Sequence, residues 1–414
     1  MKAPLSKSGI PETVSEVRIL HPPKILQISP VTQIGIFVLL RLEKPESFVA
    51  KRKKRKRVQV VGTGTIGEPI VHLFSETQKK IGIDETLFHK RTPLPEEFGK
   101  VKDMQEKRAQ LIVDRDKADK FIELGLIPQG YWEDGLKAAD VVIDCTPAGN
   151  ENKEKYYLPL SRKYPDKGFI AQGSAEGFGK PYAWTINDCA LDPKRDKWIQ
   201  VVSCNTHQLV CILYTLLLRY EGIENLRYGH FTIVRRASDF SEDKGVLSVK
   251  AEIPEEDHPE YGTHQAYDAA RVIQTLYPRM KHVPIFSQVV IAPTQYMHTM
   301  LFDLEIKSPI HFQEAKERLK SNPLVVFTRF DTTGRVLDRA RNASKIHGRI
   351  LNQTVFKEDT LNVSEDGTRI RGTCFTPQDG NALLSSVAAT LWLLDPNTYK
   401  EKMGVFDKFL FKIV

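Results

Sequence analysis

Cysteine is scarce in this 414-residue sequence: Cys145, Cys189, Cys204, Cys211 and Cys374, with no C-x-x-C pair among them. An odd, scattered set excludes a disulfide framework and offers no zinc spacing, and it fits reduced thiols in the cytoplasm. Long apolar runs are lacking too. The longest uncharged stretch of the first fifty residues, Ile25 to Leu40, is interrupted by Gln27, Pro30 and Gln33, which is too short and too polar to span a bilayer. No cleavable signal pattern is visible, so a cytoplasmic protein with no membrane partner is expected. No internal repeat is visible either.

What is present is an ordinary globular composition, 41% apolar and 27% charged, long enough for two or three domains. The formal charge of +8 is unevenly spread. Six basic and four acidic residues give +2 for residues 1–50, the run Lys51 to Arg57 adds +7, and 8 − 2 − 7 leaves −1 for residues 58–414. Residues 1–57 therefore read as a basic, flexible extension, and any nucleic-acid contact is expected only through its 51–57 run.

From Val58 the pattern alternates strand and helix: strand 58–61, helix 68–80, strand 85–90, helices 117–124 and 132–138, and an apolar strand 139–145. Such alternation predicts an α/β, doubly wound parallel sheet. After Trp198 a strand 199–203 leads into a helix 206–219. Strand-like segments follow at 227–235, 246–253, 284–292, 299–306 and 324–328. Longer strands with fewer helices predict an α+β second domain on a mixed or antiparallel sheet.

Two constellations carry chemistry. Val58-Gln-Val-Val-Gly62-Thr-Gly64-Thr65-Ile66-Gly67 is G-x-G-x-x-G between a strand and a helix. The first glycine permits the turn, the second admits a pyrophosphate and the third lets helix pack on strand, so a dinucleotide is expected there. At the end of the next strand, where an NAD site places an acidic residue, Lys90, Arg91 and Thr92 stand instead. That chemistry suits the 2′-phosphate of NADP, with NAD also accepted.

In the second constellation, Ser203-Cys204-Asn205-Thr206 lies where strand gives way to helix. The positive end of a helix dipole favours a thiolate, the nucleophilic form of cysteine. Cys211, among Val210, Ile212 and Leu213, reads as core. Two histidines compete for the role of base, His207 in the first helical turn and His298 at the entry to a later strand. Arg235 and Arg236, at the end of another strand, are the candidates for binding anions.

Taken together, Gly62 to Gly67, Asp144-Cys-Thr146-Pro147, Gln172-Gly173, Val202-Ser-Cys204-Asn-Thr206, Val234-Arg-Arg-Ala-Ser-Asp239 and Ile291-Ala-Pro-Thr-Gln-Tyr-Met-His298 resemble archaeal-type (type II) glyceraldehyde-3-phosphate dehydrogenase. The resemblance runs from about Val58 to Ile306 and more weakly beyond. It implies a Rossmann domain (58–203, completed by 379–414), a catalytic domain (204–378) and a homotetramer. It also implies glyceraldehyde 3-phosphate and inorganic phosphate as reactants, with NADP or NAD as cofactor. Cys204 matches the nucleophile and His298 the base, with Asn205 a donor to the oxyanion. Arg235, Arg236, Thr206 and His264 match the substrate and phosphate contacts. Gly62, Gly64, Thr65, Ile66, Gly67, Lys90, Arg91, Thr92, Thr146, Pro147, Gln172, Gly173 and Gln378 match the cofactor contacts.

The sequence departs from the resemblance in two places. His207 stands where a small residue is usual and reads as a helix-surface histidine. A helix over 383–392 replaces the usual Glu-Asn segment, which bears on the cofactor contacts from that end. Two rival readings stay open: a semialdehyde or acyl-phosphate reductase with the same thioester chemistry, and a non-catalytic nucleotide-binding homologue.

Overall fold

Val58, Val60 and Val61 are buried in a strand flanked on both sides by other strands, which makes β1 (Arg57–Val61) the middle of a sheet. The computed structural model describes residues 55–147, 149–173, 175–238, 248–294, 296–343 and 345–414. Residues 1–54, with the first four of the basic run, lie outside the described residues, as do Asp239 and Gln295 of the recognised strings and residues 246–247 of an expected strand.

β1 is joined by β2 (Glu85–His89), β3 (Gln110–Val113), β4 (Gly130–Tyr131), β5 (Val141–Asp144), β6 (Gly168–Gln172), β7 (Lys180–Tyr182) and β8 (Trp198–Val201). The order is β4-β3-β2-β1-β5-β6-β8-β7, and every pairing is parallel. Parallel strands buried on both faces need cover on both. Ile70, Val71 and Phe74 of the helix Gly67–Ile81 and Leu383, Val387 and Leu391 of the helix Leu383–Leu394 share one core with Val58 and Val60. On the opposite face Trp132, Leu136 and Tyr157 pack with Val61, Val142 and Phe169.

The second sheet comprises β9 (Leu226–Arg236), β10 (Lys250–Ala251), β11 (Ile285–Ala292), β12 (His298–Ile306), β13 (Val325–Thr328), β14 (Thr354–Lys357), β15 (Asn362–Val363) and β16 (Arg369–Thr376). Its order is β10-β11-β9-β12-β16-β14-β13, with β15 alongside β16. The pairings β11 to β9 and β13 to β14 are parallel and the others antiparallel, so the sheet is mixed. The helices Cys204–Leu213 and His264–Leu276 cover one face with Leu209, Ile212, Ala269 and Ile273, against Phe231, Ile233, Met300 and Phe302.

Several boundaries differ from the sequence expectation for local reasons. The basic run does not end before the fold: Arg57 opens β1, with its side chain on Glu85 and its N–H on Asp140. The helix expected at 206–219 starts at Cys204 because Ser203 caps it, and it continues past Leu213 as a π turn over Tyr214–Leu218. Of the strand expected over 246–253, the described part forms only Lys250–Ala251. No described helix is long and apolar enough to cross a membrane.

The glycine-rich turn is packed as its spacing requires. Gly62 has φ +85°, and a Cβ on Gly67 would stand 1.9 Å from the Gly62 carbonyl oxygen. A Cβ on Gly64 would meet nothing within 4 Å. Gly67→Ala is therefore expected to lower the unfolding free energy by about 2 kcal/mol or more in urea titrations, while Gly64→Ala stays within about 0.5 kcal/mol of the parent.

Candidate active site

The carboxyl ends of β5, β6 and β8, the end of β9 and the start of β12 converge on a cleft of about 620 Å³. Open parallel sheets bind ligands at the carboxyl ends of their strands. Thr65, Ile66, Thr146, Pro147, Gln172 and Gly173 line the cleft from the first sheet's side. Cys204, Asn205, Arg235, Arg236, His264, His298 and Gln378 line the rest.

Cys204 is the first residue of its helix and is partly exposed. Ser203, in extended conformation, accepts the Thr206 N–H on its hydroxyl, and this cap turns the chain so that Cys204 opens the helix at the cleft. None of the five cysteines, all described, is in a disulfide. Cys211 is buried, and burial pushes its thiol up to about 12; Cys374 is pushed higher still by the same cause. Among these three thiols only that of Cys204 faces the cleft.

Thr206 does not reach the cleft. It is fully buried, its hydroxyl 2.9 Å from that of Ser203, so it stabilises the cap rather than meeting a substrate. Asn205 does line the cleft, 4% exposed, with Oδ1 accepting from Thr376 Oγ1 at 3.3 Å.

His298 opens β12, and the antiparallel pairing of Val234 with Thr299 brings it to the end of β9. The Arg236 main-chain N–H donates to His298 Nδ1 at 2.9 Å. In the neutral ring the proton then sits on Nε2. Burial, followed by the charges of Arg236 and Arg235, lowers the His298 pKa from 6.5 to about 3. The expected base is thus a neutral imidazole with its Nδ1 lone pair already engaged, which suits donation from Nε2 better than proton abstraction.

The two arginines, adjacent in sequence, have different partners. Arg236 is 3% exposed, and its guanidinium donates to the amide oxygen of Gln378, whose nitrogen donates to Thr376 O at 2.6 Å. Gln378, expected at the cofactor, lines the cleft and is engaged with Arg236. Arg235 is more open and donates to Glu252 Oε2 at 3.1 Å, while His264 Nδ1 lies 3.4 Å from Glu252 Oε1. Burial would raise the Glu252 carboxyl, but the His264 hydrogen bond and the Arg235 charge outweigh it and hold the carboxyl down. Glu252 escaped the sequence reading because nothing local marks it; only the pairing of β10 with β11 carries it to the arginines.

On the cofactor side Thr146 is locked by Asp144, a buried carboxylate that also accepts from Asn152 and Tyr157. Gln172 Oε1 accepts from Ser386 Oγ at 3.1 Å, while its Nε2 is buried without a partner among the described residues. Lys90, Arg91 and Thr92 do not line the cleft. They follow β2, where Lys90 and Lys100 both bond Glu97, and Lys100 also donates to the Thr63 carbonyl of the glycine-rich turn at 3.0 Å. Burial would raise the Glu97 carboxyl, but the two lysines hold it low.

His207 is not on the helix surface. It is fully buried and bridges Ser203 and Ser385 outside the cleft. Burial lowers its pKa from 6.5 to about 4.

The chain is 27% identical to a glyceraldehyde-3-phosphate dehydrogenase of Pyrobaculum neutrophilum over 322 residues, 73% of this chain and 82% of the relative. It is 29% identical to that of Metallosphaera sedula over 320 residues (74% and 84%), and 26% identical to that of Methanocaldococcus jannaschii over 320 residues (75% and 86%). The chain is similar to archaeal glyceraldehyde-3-phosphate dehydrogenases. No protein-family model matches it.

The depressed pKa values of His207 and His298 make stability acid-sensitive. Both folded pKa values lie below the unfolded 6.5, so at lower pH the unfolded chain binds more protons and stability falls. The loss begins below about pH 6.5, is complete near pH 4 for His207 and near pH 3 for His298, and is worth roughly 3 kcal/mol or more each. Urea titrations between pH 7 and pH 4 should show this slope, with a smaller slope in His207→Asn.

Proposed function

We propose that this protein catalyses the reversible, phosphorylating oxidation of glyceraldehyde 3-phosphate to 1,3-bisphosphoglycerate with NADP or NAD. The observation that carries the reading is the meeting in one cleft of a helix-opening cysteine, a buried histidine and two arginines, beside a glycine turn shaped for a dinucleotide.

The residues present fit the cofactor. Gly64 leaves open space at the turn, and Gln172 offers at the cleft a buried amide N–H with no partner among the described residues. Gly62, Gly64, Thr65, Ile66, Gly67, Thr146, Pro147, Gln172 and Gly173 would hold the dinucleotide. Lys90 and Arg91, with Lys100 added from the structure, would meet a 2′-phosphate, and Thr92 lies beside them.

Cys204 is the nucleophile: the helix start and the neighbouring guanidinium groups favour its thiolate, which adds to the aldehyde carbon to form a hemithioacetal. Its proton passes to solvent. His298 Nε2–H and the Cys204 N–H, with Asn205, donate to the oxyanion that develops. A bound nicotinamide dinucleotide would supply the hydride acceptor, and loss of hydride from the hemithioacetal carbon leaves a thioester on Cys204. Phosphate then attacks the thioester and releases the acyl phosphate and the Cys204 thiolate. Arg235, with His264 beside it, and Arg236 hold the substrate phosphate and the attacking phosphate.

The assembly is read as a homotetramer composed of 58–203 with 379–414 as cofactor domain and 204–378 as catalytic domain. Tyr228 and Leu301 are 46% and 45% exposed on the face of the second sheet opposite the helices Cys204–Leu213 and His264–Leu276, and support association of copies.

Cys204→Ser should lower phosphate-dependent reduction of NADP or NAD by about 10³ or more, measured as steady-state absorbance at saturating substrate; retained turnover would refute the assignment. The two roles for His298 separate in a pair of variants. His298→Leu should cost about 10² to 10³ in kcat. His298→Gln, which keeps an N–H near Nε2, should recover about tenfold of it. A base role predicts no recovery. Lys90→Ala should weaken NADP about tenfold in fluorescence titrations and leave NAD nearly unchanged.

A further inference from the structure

We propose that His207 is a positioning residue for Cys204, fixing the Ser203 carbonyl at the start of the nucleophile's helix while Ser385 of the last helix fixes His207. The proposal rests on the reading of Cys204 as the nucleophile and adds a residue that mechanism does not use.

The bonding runs in one direction. The Ser203 carbonyl lies 3.0 Å from His207 Nδ1 and also accepts the His207 main-chain N–H at 2.8 Å. A carbonyl oxygen only accepts, so Nδ1 carries the ring proton. Nε2 is then the acceptor, 2.8 Å from Ser385 Oγ, and the Ser385 oxygen itself accepts the Trp184 N–H at 3.0 Å. Each member therefore sets the next: the Trp184 N–H orients the Ser385 hydroxyl, the hydroxyl selects the tautomer of His207, and the tautomer supplies the donor to Ser203. His207 and Ser385 are fully buried, so their hydrogen bond is shielded from solvent.

The neighbouring carbonyl is braced from the same place. Cys204 O accepts from Asn381 Nδ2 at 2.8 Å, and Asn381 also donates to Gln353 O at 3.1 Å. The two carbonyls that flank the Cys204 α-carbon thus each have a side-chain donor, one from Asn381 and one relayed from Ser385 through His207. A peptide carbonyl beside a thiolate repels it, and a donor that draws off the carbonyl's charge lessens the repulsion. It also holds the peptide plane so that the Cys204 N–H keeps its direction. Both members of the pair fall where the sequence departs from the resemblance, at 207 and in the helix over 383–392, and the departures are in contact with each other.

The test is the pH dependence of Cys204 alkylation by iodoacetamide in the full-length protein, read on the Cys204 peptide by mass spectrometry. His207→Leu should move the profile to higher pH and slow alkylation at pH 7 about three- to tenfold. His207→Asn, whose amide nitrogen stands near the position of Nδ1, should restore most of the rate. Ser385→Ala should shift the profile in the same direction by less. Arg235 and Arg236 of β9, His298 of β12 and His264 of the helix His264–Leu276 share the cleft with Cys204 and also shape the profile. They are unchanged in all three variants.

A folded His207→Leu protein with the parent profile, or an Asn variant no better than Leu, would overturn the proposal. If His207→Leu does not fold, an unchanged profile in Ser385→Ala overturns it. Alkylation needs no turnover, so the two readings fail separately. Absence of dehydrogenase activity with a shifted profile would refute the proposed reaction alone, and activity with an unshifted profile would refute the role of His207 alone.

Discussion

The turn at Ser203 is the point to which both halves of the molecule are fastened. β8 delivers the chain to the carboxyl edge of the parallel sheet, Ser203 caps a helix separated from the strand's end by two residues, and the helix then enters the core of the second sheet. Loss of such a cap costs about 1 kcal/mol in stability, but here it also places the one thiol that opens a helix at the cleft. The segment 381–385 returns from the far end of the chain to brace the same turn, so the cofactor side and the nucleophile share their supports.

Charge in the cleft is arranged by partners more than by number. Arg235 and Arg236 bring two cations to one edge, yet Glu252 engages the first and the neutral amide of Gln378 the second. A carboxylate partner offsets part of an arginine's charge, so Arg235 meets an anion in competition with Glu252. At β2 the same logic recurs, with Glu97 between Lys90 and Lys100. The basic character visible in the sequence there is real but partly neutralised.

Much of this was legible in the sequence, and what was not has a common cause. The glycine turn, the parallel sheet and Cys204 at a helix start follow from local pattern, since spacing and neighbour chemistry determine them. Thr206 matches a substrate contact through the resemblance, but the helical turn rotates it inward to the cap. His207 reads as a surface residue for want of a visible partner, and that partner lies 178 residues away. The tautomer of His298 depends on a main-chain N–H brought by pairing of β9 with β12. Glu252 and Asn381 are likewise set by tertiary contact, to which composition and periodicity are blind.

The central claim is covalent chemistry at Cys204. Protein mixed with glyceraldehyde 3-phosphate and either dinucleotide, without inorganic phosphate, and quenched in acid, should carry one 3-phosphoglyceroyl group on the Cys204 peptide by mass spectrometry. Added phosphate should remove it. An oxidised product formed with no adduct, or an adduct on another residue, would contradict the account.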